Sequence, residues 1–188
     1  MDSPGQMEVY IHIQSLNLKY IQVHTPLSIY PMKLPVAVLS YKTPIYNMPK
    51  LSIFTTILTV QAWDHVKFRL ELSDEGCFLP LLDLQDTLIH TIMKHPEWSG
   101  ANKLTLEEVR SRFQPIISKN LLTLYLHSNT GHKLLIYSGC SKKPVAHDSF
   151  HVGQKIRVAI RFQGLLFLKN TQGNLFYRLQ HQVSAVYL

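Results

Sequence analysis

The chain has 188 residues, of which 46% are hydrophobic and 16% charged. This composition favours one globular domain over residues 1–188 with a sizeable core, and it excludes a disordered or fibrous chain. No apolar run approaches the roughly 18 residues of a membrane helix, and the start of the chain lacks the basic and apolar segments of a signal peptide. We therefore expect a soluble, intracellular protein.

Positive charge is concentrated towards the C-terminal end. The formal net charge is +7. Residues 1–112 hold 10 Lys/Arg and 11 Asp/Glu, whereas residues 113–188 hold 9 Lys/Arg and a single acid, Asp148. A basic segment with almost no counter-charges is typical of a protein that binds a polyanion. The alternative is a basic surface that serves solubility alone.

Two cysteines, Cys77 and Cys140, are too few for a disulfide framework. They favour buried thiols in a reducing compartment, with a single disulfide as the alternative. Cys140, His147 and His151 are spaced as zinc ligands can be, but the spacing places no fourth ligand, so no metal or cofactor is predicted.

Catalytic motifs are missing from the sequence. It contains no Gly-rich phosphate loop, no nucleophile elbow and no HExxH motif. The acidic residues fall in turns and helix starts, where they have capping roles, so a magnesium-dependent nuclease is also disfavoured. We predict that the protein is not an enzyme.

The N-terminal third is predicted to be strands. Residues 7–14 alternate apolar and polar side chains, as a half-buried strand does. Five prolines between residues 26 and 49 restrict that segment to edge strands and loops. The β-branched run 51–63 predicts a central strand, and the alternating run 66–72 predicts its hairpin partner.

The middle of the chain changes to a helical period. Apolar residues recur at helical spacing over 81–95, and Pro96 ends that pattern. A second helix is predicted to start at Thr105, where Glu108 completes a capping box. Residues 81–114 are therefore predicted to be a helical insertion between two groups of strands.

The basic segment 119–188 is predicted to be strands again. The predicted ranges are 121–127, 133–137, 155–162, 165–169 and 174–187, with glycines between them as turn residues. This order predicts a mainly β fold with a helical insertion, most economically a small closed or partly open barrel.

The strand at 155–162 has cations on one face. Alternation places Lys155, Arg157 and Arg161 together, opposite an apolar face. In 174–187 the same rule puts Tyr177, His181 and Tyr187 on the apolar face and Phe176, Arg178, Gln180 and Gln182 on the other. Cations on one sheet face need counter-anions or full solvation.

Aromatic residues lie among these cations. That combination suits single-stranded nucleic acid, because cations follow phosphates while bases stack on rings. A duplex reader needs a projecting helix or ribbon, and the predicted helices here are acidic or mixed. The predicted phosphate contacts are Lys133, Lys142, Lys143, Lys155, Arg157, Arg161, Lys169 and Arg178, and the predicted stacking residues are Tyr137, Phe167 and Phe176.

Three segments resemble a known family. EWSGANKLTLEEVRSRFQPII (97–117) followed by LLTLYLHSNTGHKLLIY is similar to the helical insertion and next strand pair of single-stranded DNA-binding proteins of large double-stranded DNA viruses and related elements. VGQKIRVAIRFQGLLFLKNTQGNLFYRLQHQVSAV resembles their closing strands, and VHTPLSIYPMKL (23–34) resembles their entry strand more faintly. Phenylalanines stand at 167 and 176 where that family commonly has tryptophan.

The resemblance implies an OB-type barrel that coats displaced strands during viral DNA replication. It places Phe167, Lys169, Phe176 and Gln180 on or near the DNA-facing strands, and it implies a nuclear protein or one of a viral replication compartment. The function predicted is sequence-nonspecific binding of single-stranded DNA. The protein partners expected are replication proteins or further copies of the same chain. The alternatives are RNA binding, and a β-rich protein-interaction or virion structural domain that binds an acidic partner.

Overall fold

The computed structural model describes residues 9–28, 34–64, 66–74, 78–99, 103–126, 135–138 and 150–188. Its α-helices are α1 (Leu79–Lys94) and α2 (Leu106–Arg112). The strands are β1 (Ile11–His12), β2 (Ile21–Val23), β3 (Leu27–Ser28), β4 (Pro35–Ala37), β5 (Leu39–Lys42), β6 (Asn47–Met48), β7 (Ser52–Phe54), β8 (Leu58–Asp64), β9 (Arg69–Ser73), β10 (Phe113–Gln114), β11 (Ile117–Ser118), β12 (Leu121–Tyr125), β13 (Leu135–Tyr137), β14 (Lys155–Lys169) and β15 (Leu175–Tyr187). The predicted β-rich class with a helical insertion is confirmed.

Strand β14 is the centre of the larger sheet. β15 pairs antiparallel with it, from Arg157 opposite Tyr187 to Lys169 opposite Leu175. On its other side β14 pairs in succession with β8, β7 and β4. The sheet continues from β8 through β9 and β12 to β11, and β10 and β13 pair with β15. A smaller sheet contains β2, β5 and β6.

The run 51–63, predicted as one strand, is divided into β7 and β8 at Thr55. The Thr55 backbone N donates to the Val158 carbonyl, and the Thr55 hydroxyl accepts from the Val158 backbone N, both at 2.9 Å. The buried hydroxyl therefore takes the place of a backbone partner. At this point β14 changes its neighbour from β8 to β7.

Residues 155–169 form one strand, so the prediction of two strands with a turn at Gly164 was wrong. Gly164 has a φ of 140°, and a Cβ there would lie 2.5 Å from the Ala37 carbonyl oxygen. The register with β15 shifts between Phe162 and Gly164, which leaves Gln163 as the extra residue of a bulge. Glycine is required here by the close approach of β4 rather than by a turn.

Helix α1 covers the core with the residues predicted for it. Leu81, Leu84, Leu88 and Ile92 are each at most 1% exposed. Helix α2 begins with the predicted capping box, in which the Thr105 hydroxyl accepts from the Glu108 backbone N at 3.3 Å and a Glu108 carboxylate oxygen accepts from the Thr105 backbone N at 2.7 Å. Neither helix is long and apolar enough to cross a membrane.

Two polar contacts fix the helical insertion to the sheets. Gln85 of α1 accepts from the backbone N of Ile116 at 2.8 Å and of Ile117 at 3.3 Å. The hydroxyl groups of Ser99 and Tyr177 are hydrogen-bonded at 2.8 Å. The first contact satisfies buried backbone donors, and the second joins the chain after α1 to the start of β15.

The first hairpin of the larger sheet is shorter than predicted. The strand predicted over 66–72 begins only at Arg69, and Val66 is 74% exposed. The reason is local, since the Asp64 carboxylate accepts from the backbone N of both Val66 and Lys67 at 3.1 Å and holds a wide turn. At the N-terminus, β1 is a two-residue strand followed by a 3₁₀ turn rather than a strand over 7–14.

Strands β12 and β15 are in contact but form no ladder in the described residues, so the sheet is not closed there. The Tyr125 backbone N instead donates to His181 Nε2 at 3.4 Å. The pKa of His181 is lowered to about 4, mainly by burial. A hydrogen bond with the Leu179 backbone opposes this shift, and the nearby charge of Arg178 adds to it. The imidazole is therefore neutral at physiological pH, as an accepting Nε2 requires.

Candidate nucleic-acid interface

Three residues from different strands form a row across one face of the sheet. Tyr137 on β13 is the ladder partner of Tyr187 on β15, and Tyr187 is the partner of Arg157 on β14. Directly opposed residues share a face, so all three side chains lie together. The two tyrosine rings are stacked, with centroids 5.1 Å apart and planes 18° apart. The fold thus brings together Tyr137 and Arg157, both predicted as contacts from the sequence.

Two further rings extend this row. Phe54 on β7 meets Tyr187 edge to face at 5.4 Å. Burial raises the pKa of Tyr10, a hydrogen bond with Ser184 opposes the rise, and the nearby Tyr187 and Tyr137 add to it. These four aromatic residues, Tyr10, Phe54, Tyr137 and Tyr187, are called the aromatic platform below. Tyr187 is 41% exposed, so the platform presents a ring to solvent.

The cations predicted on β14 border the platform. Lys155 and Arg157 are exposed and Arg161 is half-buried. The residues between them are core, with Ile156, Val158, Ile160 and Phe162 at most 1% exposed, so the predicted alternation is confirmed. Strands β13, β14 and β15 contain no Asp or Glu, and within the described parts of the chain Arg157 forms no ion pair. Among the described residues, the charge of Arg157 is therefore not paired with an acid.

The position of Tyr187 corrects the prediction for β15. Alternation placed Tyr187 on the same face as the buried Tyr177 and Val183. The register shifts between Ala159 and Ile160, however, and Ser184 is the extra residue of a bulge on β15. An extra residue inverts the alternation beyond it, which turns Tyr187 outward and Val186 into the core. Sequence alternation alone could not locate that bulge.

Phe167 does not lie on this outer face. It is 3% exposed and packs edge to face against Trp98 at 6.1 Å and Tyr177 at 5.5 Å. A ring enclosed by core neighbours has no face to offer a base, so the prediction of Phe167 as a stacking residue was wrong. Its ladder position opposite Tyr177 explains this, since both side chains point into the core.

The other predicted contacts of β14 and β15 lie far from the platform. Phe176 is half-buried opposite Leu168, and Lys169 and Arg178 are exposed. Phe176 is eleven positions before Tyr187 on one strand, which corresponds to about 35 Å. These residues are therefore not brought to the platform. The predicted phosphate contacts Lys133, Lys142 and Lys143 lie outside the described residues, as do Cys140 and His147.

Three members of the platform were missed in the sequence. Tyr187 was assigned to the core because of the bulge, while Tyr10, next to β1, and Phe54, on β7, both lie more than a hundred residues before Tyr187 in the sequence. Their pairing partners are set by the sheet topology, and no local pattern marks them. As for metals, the described residues contain no cluster of three or more His, Cys, Asp or Glu that could hold an ion.

Comparison with known proteins adds one weak likeness. No family model and no curated protein matches the chain. Among solved structures, the chain is similar to the crystal structure of gp2.5, a single-stranded DNA-binding protein encoded by bacteriophage T7, at 16% identity over 74% of this chain and 86% of that chain, with a TM-score of 0.35. A superposition this loose establishes neither a common fold nor a common function.

Proposed function

We propose that this protein binds single-stranded DNA without sequence preference. The observation that carries the proposal is the exposed row of Tyr137, Tyr187 and Arg157, in which stacked rings lie beside an arginine that has no acidic neighbour on its strands. The resemblance of the sequence to viral single-stranded DNA-binding proteins agrees with it. We further propose an OB-like arrangement of the larger sheet, and a role in coating displaced strands in the nucleus or a viral replication compartment.

The chemistry of the row explains both affinity and the lack of preference. A base that stacks on an exposed aromatic ring contributes about 1–3 kcal/mol, and each kind of base has a π-face to offer. Lys155, Arg157 and Arg161 would contact phosphates, which are identical in every sequence. No side chain of the row is placed to read a base edge in a groove, so sequence discrimination would be small.

The same geometry disfavours a duplex. Bases in a duplex are stacked on one another and cannot reach rings that lie on a sheet face. A reader of the major groove inserts a helix or a ribbon into it. Helix α2 is too acidic for that role in its first turn, where Glu107 and Glu108 are exposed. Binding should therefore favour the single strand.

Fluorescence anisotropy tests this proposal. A labelled strand of ~30 nucleotides, its duplex and the RNA strand of the same sequence are titrated at low and at near-physiological salt. We expect the DNA single strand to bind more tightly than the duplex, with an affinity that falls steeply as salt rises. Equal binding of the two DNA forms, or none, would overturn the proposal and favour a protein-interaction role. Preference for the RNA strand would replace DNA by RNA as the ligand.

A further inference from the structure

A second polar site lies on β15, away from the aromatic platform. Where β12 and β15 fail to pair, a cavity of about 470 Å³ opens. Its lining includes Arg69 of β9, Tyr125 of β12, Gln114 of β10, and Arg178 and Gln180 of β15. This volume falls within the range of small-ligand sites. We call this cavity the β12–β15 cleft.

The cleft combines two arginines with an exposed ring. Tyr125 is 50% exposed. Arg178 is exposed and makes no ion pair among the residues that the structure describes, whereas Arg69 contacts Glu71 at 3.3 Å. The Glu71 carboxylate and the nearby charge of Asp64 thus offset Arg69, and Arg178 is left as the cation of the cleft that no described carboxylate pairs with. Guanidinium groups suit phosphate oxygens, and the amides of Gln114 and Gln180 can donate to or accept from a base or sugar.

A strip without acidic residues joins the cleft to the platform. Between Arg178 and Tyr187, the outer face of β15 carries Gln180, Gln182 and, beyond the bulge at Ser184, the small side chain of Ala185. Gln182 is the ladder partner of Arg161 and accepts a hydrogen bond from Gln163 at 3.3 Å. The strip contains no acidic residue, so a phosphate backbone could follow it without meeting a like charge.

We propose that the β12–β15 cleft is a second subsite for the same nucleic-acid strand, and that it holds one nucleotide with its base on Tyr125 and its phosphate at Arg178 and Arg69. This inference rests on the proposed function. It adds a path for the strand, from the platform along β15 to the cleft, which neither the charge pattern nor the ring stack at the platform specifies.

The path predicts a site size. Arg178 and Tyr187 are nine positions apart, or about 30 Å along a strand. At a stacked spacing of about 3.4 Å per nucleotide, that distance corresponds to about nine nucleotides. This value lies within the range of roughly 4–16 nucleotides that single OB-type domains occupy.

A length series of single-stranded DNA tests the cleft. Labelled strands of about 4 to 14 nucleotides are titrated against the full chain, and affinity is expected to rise until about nine nucleotides and then level off. We expect the double variant Arg178→Ala/Tyr125→Ala to bind short strands with the same affinity as the unchanged protein. Strands of ten or more nucleotides should bind about tenfold more weakly, and the plateau should begin at a shorter length.

Three further variants keep the outcomes distinct. Tyr125→Phe retains the ring and is expected to bind long strands as the unchanged protein does. Arg178→Glu tests the charge at an exposed position that contributes little to packing. Tyr187→Ala should weaken binding at every length, because it removes the platform. If the cleft variants bind a 12-nucleotide strand as tightly as the unchanged protein, the cleft is not a subsite, while the proposed function stands. If the unchanged protein binds no single strand of any length, the proposed function itself fails.

Discussion

Arg157 and Tyr187 face each other across the ladder of β14 and β15, and the Tyr187 ring stacks on Tyr137 of the next strand. The row therefore joins one cation and two rings that lie 20 and 30 residues apart in sequence. All three belong to paired strands, so their positions are fixed by backbone hydrogen bonds rather than by loop conformation. A site built on paired strands needs little ordering when a ligand binds.

Removal of the exposed ring should weaken binding of single-stranded DNA. Loss of one stacked base costs about 1–3 kcal/mol, so Tyr187→Ala is expected to lower affinity about 5- to 150-fold. Tyr187→Phe keeps the ring and should bind as the unchanged protein does. Tyr46→Ala is the matched control, because Tyr46 is exposed to a similar extent but lies next to β6 in the smaller sheet. Equal affinities of Tyr187→Ala and Tyr46→Ala for single-stranded DNA would show that the platform is not part of the binding site.

Loss of a phosphate contact should appear in the salt dependence. For a single strand the slope of log K against log salt is about −0.7 per neutralised phosphate. Arg157→Ala is therefore expected to make that slope shallower by about 0.7, as measured by anisotropy at several salt concentrations. Lys94→Ala removes an exposed cation from the end of α1 and serves as the control. A slope in Arg157→Ala that matches that of Lys94→Ala would exclude Arg157 as a phosphate contact.

Protonation of His181 should destabilise the fold in mild acid. Its pKa is about 4 in the folded protein, below its ordinary value of 6.5. Between these two values the unfolded chain binds the proton more strongly. The free energy of unfolding should therefore fall as pH drops from about 6.5 to about 4, by up to about 3 kcal/mol. Above pH 6.5 both states are neutral and this contribution is constant.

Urea unfolding of the unchanged protein and of His181→Gln, at several pH values, measures this effect. The variant cannot take up the proton, so its stability should change less over the same pH range. Asp64, Glu97 and Glu108 have pKa values lowered mainly by backbone hydrogen bonds, and they cause a loss at more acidic pH that both proteins share. Parallel curves for the two proteins between pH 6.5 and 4 would contradict the assignment to His181.

A side chain at Gly164 should be far more damaging than one at another glycine with positive φ. A Cβ on Gly164 would lie 2.5 Å from the Ala37 carbonyl and 2.7 Å from a Val36 methyl, so Gly164→Ala is expected to cost more than about 2 kcal/mol. Gly173 has a φ of 82° with nothing near its missing side chain, so Gly173→Ala should cost only the backbone strain of about 1 kcal/mol. Thermal unfolding of both variants gives the comparison, and similar losses would show that β4 does not pack on Gly164 as described.

Local sequence patterns correctly predicted the helices and strands in which no bulge or distant contact interrupts the regular spacing of buried residues. The helical spacing of Leu81, Leu84 and Leu88 identified α1, and Thr105 with Glu108 marked the start of α2. Alternation identified the basic face of β14 from Lys155 to Arg161. In each case one face of a regular helix or strand is buried against the core. The residues on that face are apolar, so they recur in the sequence at the period of the element.

Where the sequence patterns gave a wrong prediction, contacts with residues distant in sequence determine the structure. The Thr55 hydroxyl ends β7 because Val158 lies opposite it, and the approach of Ala37 to Gly164 keeps β14 continuous through a residue that is typical of turns. A bulge at Ser184 reversed the assignment of Tyr187. Each of these features depends on a residue that is distant in sequence, so no window of the chain contains the information.

Composition and periodicity were enough to predict a mainly β protein with a helical insertion, a basic C-terminal segment and a strand with cations on one face, because both reflect which side chains are buried. They were not enough to predict which rings accompany those cations. Phe167, which was predicted as a stacking residue, lies in the core, whereas Tyr187 joins Tyr137 and Arg157 outside it. Strand register explains the difference, because a one-residue bulge reverses the face that a side chain occupies, and hydrogen bonding between distant strands determines which residues become neighbours.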